Sequence, residues 1–260
     1  MESKNTETTA IGRIFGRAAR CIQWTSTRSK MNEGEVIHMN QSNTWDKVDQ
    51  YVTERLIPHD TVLEKVLFAN HQAGLPAIDV TPNQGKLLNL LVQMQGAHRI
   101  LEIGTLGGYS TIWMARALQT DGQLITLELD PLHAQVAQAN IRLAQLDGLI
   151  TIRVGDALAQ LAQMKDEGVQ PFDFIFIDAD KPNNPNYLKW ALHFSRPGTV
   201  IIGDNVIRDG EVINENSQDP RVQGVRQFYD LLAEESRISA TAIQTVGSKG
   251  YDGFVLGIVK

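Results

Sequence analysis

Three oxygen-bearing side chains stand directly after two apolar runs. Phe172–Ile177 (Phe-Asp-Phe-Ile-Phe-Ile) leads into Asp178, Ala179, Asp180, Lys181 and Pro182, and Thr199–Ile202 leads into Gly203, Asp204 and Asn205. If the two runs are neighbouring strands, Asp178, Asp204 and Asn205 converge at their ends. Two carboxylates and an amide suit a hard divalent cation such as Mg²⁺, which takes oxygen ligands and keeps several waters. They suit zinc poorly, because no His or Cys is placed to join them. Asp178 and Asp180, two apart, point the same way on an extended backbone. A hydroxyl bound to a divalent cation loses its proton readily, and Lys181 is the candidate general base for it. The competing structural reading makes Lys181 an ion-pair partner of Asp180 and the oxygen set a group of loop caps.

A second constellation lies upstream. Arg99-Ile-Leu-Glu-Ile-Gly-Thr-Leu-Gly-Gly-Tyr-Ser110 runs from an apolar strand through a Gly-rich turn into a helix. Glycines 104, 107 and 108 let backbone approach a ligand without Cβ clashes. The spacing Gly-x-x-Gly-Gly is not the dinucleotide pattern Gly-x-Gly-x-x-Gly. Glu102, just before the turn, would repel a pyrophosphate and suits a ligand carrying an ammonium or sulfonium. Glu128 ends the next strand, where an acidic residue accepts ribose hydroxyls. Asp156 and Ala157, after Gly155 at the end of the following strand, can meet an adenine amino group and ring nitrogen. Each feature alone is also what a turn or a solvated strand end looks like. Three in succession point to adenosine plus an amino acid, bound at the carboxyl ends of strands in an open α/β sheet.

These residues need a scaffold, and the pattern supplies one. Helical spacing over Trp45–Asn70 breaks at Ile57-Pro58. Thr81 is an N-cap with Pro82 at the first helical position, and that helix stops near Gly96. Strands over 99–103, 123–129, 150–154, 172–177 and 199–202 then alternate with helices over 110–118, 131–146, 157–165, 186–194 and 222–235. Strands at 238–245 and 253–259, with only Val246–Asp252 between them, form an antiparallel hairpin at one edge. Alternation with near-continuous apolar strands predicts an α/β fold: a mostly parallel sheet with helices on both faces.

The 260 residues suit one large domain, assigned to 39–260, and 42% are hydrophobic. A net charge of -6 gives no general attraction to nucleic acid or to anionic lipid. No apolar run approaches the roughly 18 residues of a membrane span. The single cysteine, Cys21, cannot form an internal disulfide, so nothing requires an oxidising compartment, and a cytoplasmic location is expected. Residues 1–38 read as an extension. Between Thr8 and Asn32 lie five basic residues and no acidic one, with Ile11, Ile14, Phe15, Ala18 and Ile22 at helical spacing. That fits an organelle transit peptide, a disordered extension, or an upstream start before Met31 or Met39.

The motifs Leu-Glu-Ile-Gly-Thr (101–105), Gly-Gly-Tyr-Ser (107–110), Ile-Asp-Ala-Asp-Lys-Pro (177–182) and Gly-Asp-Asn-Val (203–206) resemble the cation-dependent class I O-methyltransferases. That family includes the caffeoyl-CoA and catechol O-methyltransferases. The likeness covers about 40–259, and Lys-Pro-Asn-Asn-Pro-Asn-Tyr (181–187) with Gly-Ser-Lys-Gly-Tyr-Asp-Gly-Phe (247–254) is most similar to its bacterial branch. It implies a Rossmann-like, seven-stranded fold, a homodimer, and S-adenosylmethionine as methyl donor. By the same resemblance Val80 covers the donor, Glu102 binds its ammonium, Gly104 and Thr105 line its methionine, and Ser110 meets its carboxylate. Glu128 holds the ribose, Asp156 and Ala157 the adenine, and Asp178 borders the donor too. Asp178, Asp204 and Asn205 hold Mg²⁺, Lys181 is the base, and the acceptor is a catechol-type or caffeoyl-type phenolic. The extra glutamate that grips the second hydroxyl in catechol enzymes has no clear match, although Glu211 and Glu215 are near.

Two other classes compete. A dinucleotide-dependent oxidoreductase is disfavoured by the missing fingerprint and by Glu102. A non-catalytic binding protein on the same fold has no need of Lys181 or the oxygen cluster.

Overall fold

A computed structural model describes residues 33–260, with side chains from residue 44 onward. The amphipathic segment expected at 11–22 lies outside the described residues. Helix α1 (Glu33–Leu56) is followed by α2 (Thr61–Gln72), and the break between them falls where Ile57-Pro58 places it. Asp60 caps α2 by accepting from the Val62 and Leu63 N–H groups. Helix α3 (Pro82–Gln95) starts and stops as its sequence requires. The Thr81 hydroxyl accepts from Gln84 N–H, and Gly96 closes the helix in the left-handed conformation (φ 64°).

Alternation then sets in: β1 (Arg99–Ile103), α4 (Tyr109–Ala115), β2 (Gln123–Glu128), α5 (Pro131–Leu143), β3 (Ile150–Val154), α6 (Ala157–Asp166) and β4 (Phe174–Ile177). A 3-10 turn (Lys181–Asn183) enters α7 (Asn184–His193), followed by β5 (Val200–Asp204), α8 (Pro220–Glu234), β6 (Ile238–Gly247) and β7 (Gly250–Val259). The seven strands form one sheet in the order β3-β2-β1-β4-β5-β7-β6. The first five are parallel; β7 runs antiparallel to both β5 and β6. The hairpin differs from expectation in its turn. Pairing extends to Gly247↔Gly250, so only Ser248 and Lys249 connect the strands. The exposed, polar ends of β6 gave no apolar run to reveal this.

Period-two side chains fill both faces of the sheet. Leu101, Ile103, Ile175, Ile177 and Ile201 pack with Leu161, Leu188 and Phe228 from α6, α7 and α8. Ile100, Phe174, Phe176 and Ile202 pack on the opposite face with Val66, Leu88 and Ile112 from α2, α3 and α4. Each such side chain contributes about 1.5–3 kcal/mol by leaving water. Among the described residues no helix is long and apolar enough to cross a membrane.

Candidate active site

Strand register brings the chemical residues to one level. Ile103 pairs with Leu127 and Ile177, and Ile177 pairs with Gly203. Gly104, Glu128, Asp178 and Asp204 therefore lie side by side at the carboxyl ends of four parallel strands. The chain leaves β1 toward β2 on one side and has β4 on the other, so a crevice opens at this switch point. It holds a cavity of about 620 Å³ lined by Val80, Gly104, Thr105, Ser110, Glu128, Asp156, Ala157, Asp178, Lys181 and Asn205, among others. Ten of the twelve residues singled out from sequence thus share one cavity.

The other two, Glu102 and Asp204, are placed differently. Glu102 is wholly buried behind the wall. Ser110 Oγ donates to its Oε1 (2.6 Å), while Thr111 and Thr126 hydroxyls donate to Oε2. Thr126 is its partner in the β1–β2 register. Burial, opposed by these hydroxyls, pushes the Glu102 carboxyl up to about 7. Glu102 thus anchors Ser110 and the first turn of α4. Glu128 anchors the neighbouring backbone in a similar way. Its Oε2 accepts from Thr105 N–H (3.2 Å) and Leu106 N–H (2.7 Å), and its Oε1 from Asp130 N–H (2.9 Å). The turn itself needs its glycine. Gly104 has φ 101°, and a Cβ there would come within 2.2 Å of the Asp178 carbonyl oxygen. Asp156 caps α6 through Ala159 N–H and also borders the cavity.

Asp204 is buried at the end of β5, where it borders a second cavity of about 280 Å³ shared with Asp178 and Asn205. Its Oδ2 accepts from Gln84 Nε2 (2.7 Å) and its Oδ1 from Asn205 N–H (2.8 Å). Burial first, then the Asp178 charge, raises its carboxyl to about 7. Asn205 sits at φ 55°, a left-handed conformation that asparagine tolerates better than most residues. Lys181 is buried and its Nζ lies 2.9 Å from Asp178 Oδ1. This corrects the pairing with Asp180. Beyond β4 the chain turns instead of staying extended, so Asp180 points elsewhere, accepting from the Tyr187 hydroxyl and the Asn183 amide. Two crowded carboxylates balanced by one buried lysine, with an amide beside them, fit a divalent cation. Among the described residues no three His, Cys, Asp or Glu side chains form a metal-holding group; the set here is two carboxylates with Asn205 bordering the same cavity.

Sequence reasoning missed several supporting residues. Gln84 on α3 grips Asp204 from 120 positions away. Gly224 lets α8 approach the Lys181 turn, where a Cβ would lie 2.2 Å from the Lys181 carbonyl oxygen. Gly85 makes room for Trp113 in the same way. None carries a local signal, because each matters only through a partner distant in sequence.

Comparison with known proteins decides the family. The O-methyltransferase family profile matches residues 53–256. The chain belongs to the O-methyltransferase family. Two bacterial family relatives are each named catechol O-methyltransferase. The one from Niastella koreensis is 54% identical, covering 83% of this chain and 98% of its own. That from Mycobacterium tuberculosis is 43% identical over 85% and 99%. Among solved O-methyltransferase structures, the Bacillus cereus enzyme in complex with SAH superposes with a TM-score of 0.83 at 62% identity, covering 84% of this chain and 99% of that one. The Streptomyces achromogenes enzyme TomG, in complex with SAM, gives 0.82 at 45% identity over 85% and 99%.

Proposed function

We propose that this chain transfers the methyl group of S-adenosylmethionine to a hydroxyl of a small phenolic acceptor, with a divalent cation such as Mg²⁺. The observation that carries this reading is the shared level of Gly104, Glu128, Asp178 and Asp204, which sets a donor cavity directly against an oxygen-ligand cluster. Relatives named catechol O-methyltransferase and neighbours bound to SAM or SAH support it.

In this reading Val80, Gly104, Thr105 and Ser110 hold the donor's methionine, Glu128 its ribose, and Asp156 and Ala157 its adenine. Asp178 borders both donor and metal. Glu102 acts on the ammonium from behind, through Ser110, because it is wholly buried and does not line the cavity. Asp178, Asp204 and Asn205 would hold the cation, which supplies charge stabilisation to an ionised acceptor oxygen. As the neutral amine, Lys181 would take the acceptor's proton at Nζ, with the cation then offsetting the carboxylates in its place, and its contact with Asp178 holds that atom at the cluster. The sulfonium methyl is already electrophilic, so the chain's main contributions are alignment and exclusion of water.

A vicinal diol presents two oxygens to one cation, and this favours catechol-type acceptors. Labelled methyl transfer to catechol and to phenol, with Mg²⁺ present, tests the reading. Product from catechol alone is expected; equal transfer to phenol would remove the chelation argument. We also read residues 39–260 as the catalytic domain and residues 1–38 as an appendage, supported by relatives whose nearly full length is spanned by 83–85% of this chain. The family resemblance supports a homodimer, and the single cysteine is compatible with a cytoplasmic location.

A further inference from the structure

The smaller cavity has two kinds of wall. Ile78, Leu87, Val246 and Phe254 give it apolar sides, and Asp49, Asp79 and Asp252 join Asp178 and Asp204 around it, against one lysine, Lys249. Its Nζ donates to the carbonyl oxygens of Ala77 and Asp79, and its charge faces the Asp79 carboxylate. Asp252 has a cationic neighbour in Arg208 at 3.8 Å. Asp49 differs, for its carboxylate accepts from neutral donors, Ser248 N–H (2.8 Å) and Asn83 Nδ2 (3.3 Å). Asp79 likewise accepts from the neutral Asn70 amide (2.8 Å). A divalent cation held by Asp178, Asp204 and Asn205 would offset two of the five carboxylates and Lys249 a third, which leaves the lining net negative.

We infer that this cavity is the acceptor compartment, that it selects small aromatic diols with a neutral or cationic tail over anionic ones, and that Asp49 and Asp79 set this preference. The inference rests on the proposed methyl transfer and deepens it. An aromatic ring would pack between the apolar sides while its tail meets the acidic rim. A coenzyme A thioester would bring phosphates to that rim and be repelled, so the carboxylates separate catechol-type from caffeoyl-CoA-type acceptors. Asp49 and Asp79 come from α1 and the loop before α3 and lie outside the proposed metal cluster.

The test is a matched series on the full chain with Mg²⁺: the aminoethyl, ethyl and carboxyethyl derivatives of catechol, compared by kcat/KM. The cationic member should exceed the anionic one about ten-fold at low salt, and the ratio should shrink in about 0.5 M salt. Asp49→Asn and Asp79→Asn should each reduce that ratio, a comparison internal to each variant and so insensitive to how much of it is folded. An equal or reversed ratio in the unsubstituted chain overturns the inference while leaving methyl transfer standing. Failure to methylate any of the three overturns both.

Discussion

The donor and acceptor halves of the crevice are assembled from different kinds of sequence. On the donor side, Glu128 reaches Thr105 and Leu106 across 23 and 22 positions, one strand and its crossover helix away. On the acceptor side, Gln84 reaches Asp204 across 120 positions and Ser248 reaches Asp49 across 199. The donor half is a repeated local device, a strand end followed by a turn and a helix. The acceptor half is a meeting of α1, α3 and the β6–β7 turn around the ends of β4 and β5. A device built locally can stay fixed while remote segments vary around it, so the two halves should fail separately.

Asp204→Ala should give the largest effect. It removes a proposed cation ligand from the acceptor half and leaves the donor cavity lining intact, so kcat/KM should fall by about 10²-fold or more. Donor affinity measured by calorimetry should move less than about three-fold; a collapse of donor binding would show that the halves are not separable. Glu128→Ala is the reciprocal break. Three backbone N–H groups lose their acceptor, costing roughly 1–3 kcal/mol of stability, and donor affinity should weaken about ten-fold or more. Unchanged donor affinity in a folded variant would remove Glu128 from the donor half.

Glu102 gives the smallest effect and sharpens the boundary. Its folded carboxyl lies at about 7, above the ordinary 4.5, because burial outweighs the three hydroxyl donors. A carboxyl raised by folding is most favourable below the unfolded value, and that stability is lost as pH rises through the folded value. Urea unfolding should therefore show the protein less stable at pH 8 than at pH 5. Asp204, also raised to about 7, adds to the same slope. Glu102→Gln should flatten the slope without abolishing it. An unchanged slope would mean that Glu102 is already ionised in the folded chain at pH 5.

Legibility in sequence followed the same division. The cap and stop of α3, the seven strands and the hairpin at the sheet edge were readable, because each rests on local periodicity or on a single capping residue. So was the convergence of Asp178, Asp204 and Asn205, since parallel neighbouring strands bring their ends together. The partner of Lys181 was not, because it depended on how the chain bends after Ile177. Glu102 was legible as a carboxylate beside the Gly-rich turn but not as one buried behind the cavity wall, for its three hydroxyl donors come from two further elements. Gln84, Gly224 and the acidic rim of Asp49 and Asp79 were invisible for a topological reason: only the closed sheet brings α1, α3 and α8 to the strand ends.

Donor binding and methyl transfer, measured together on one metal-stripped sample, test the central claim most directly. With the cation removed by EDTA, S-adenosylmethionine should still bind, catechol should gain no methyl group, and added Mg²⁺ should restore transfer. Transfer at an undiminished rate from the fully stripped protein would contradict the account.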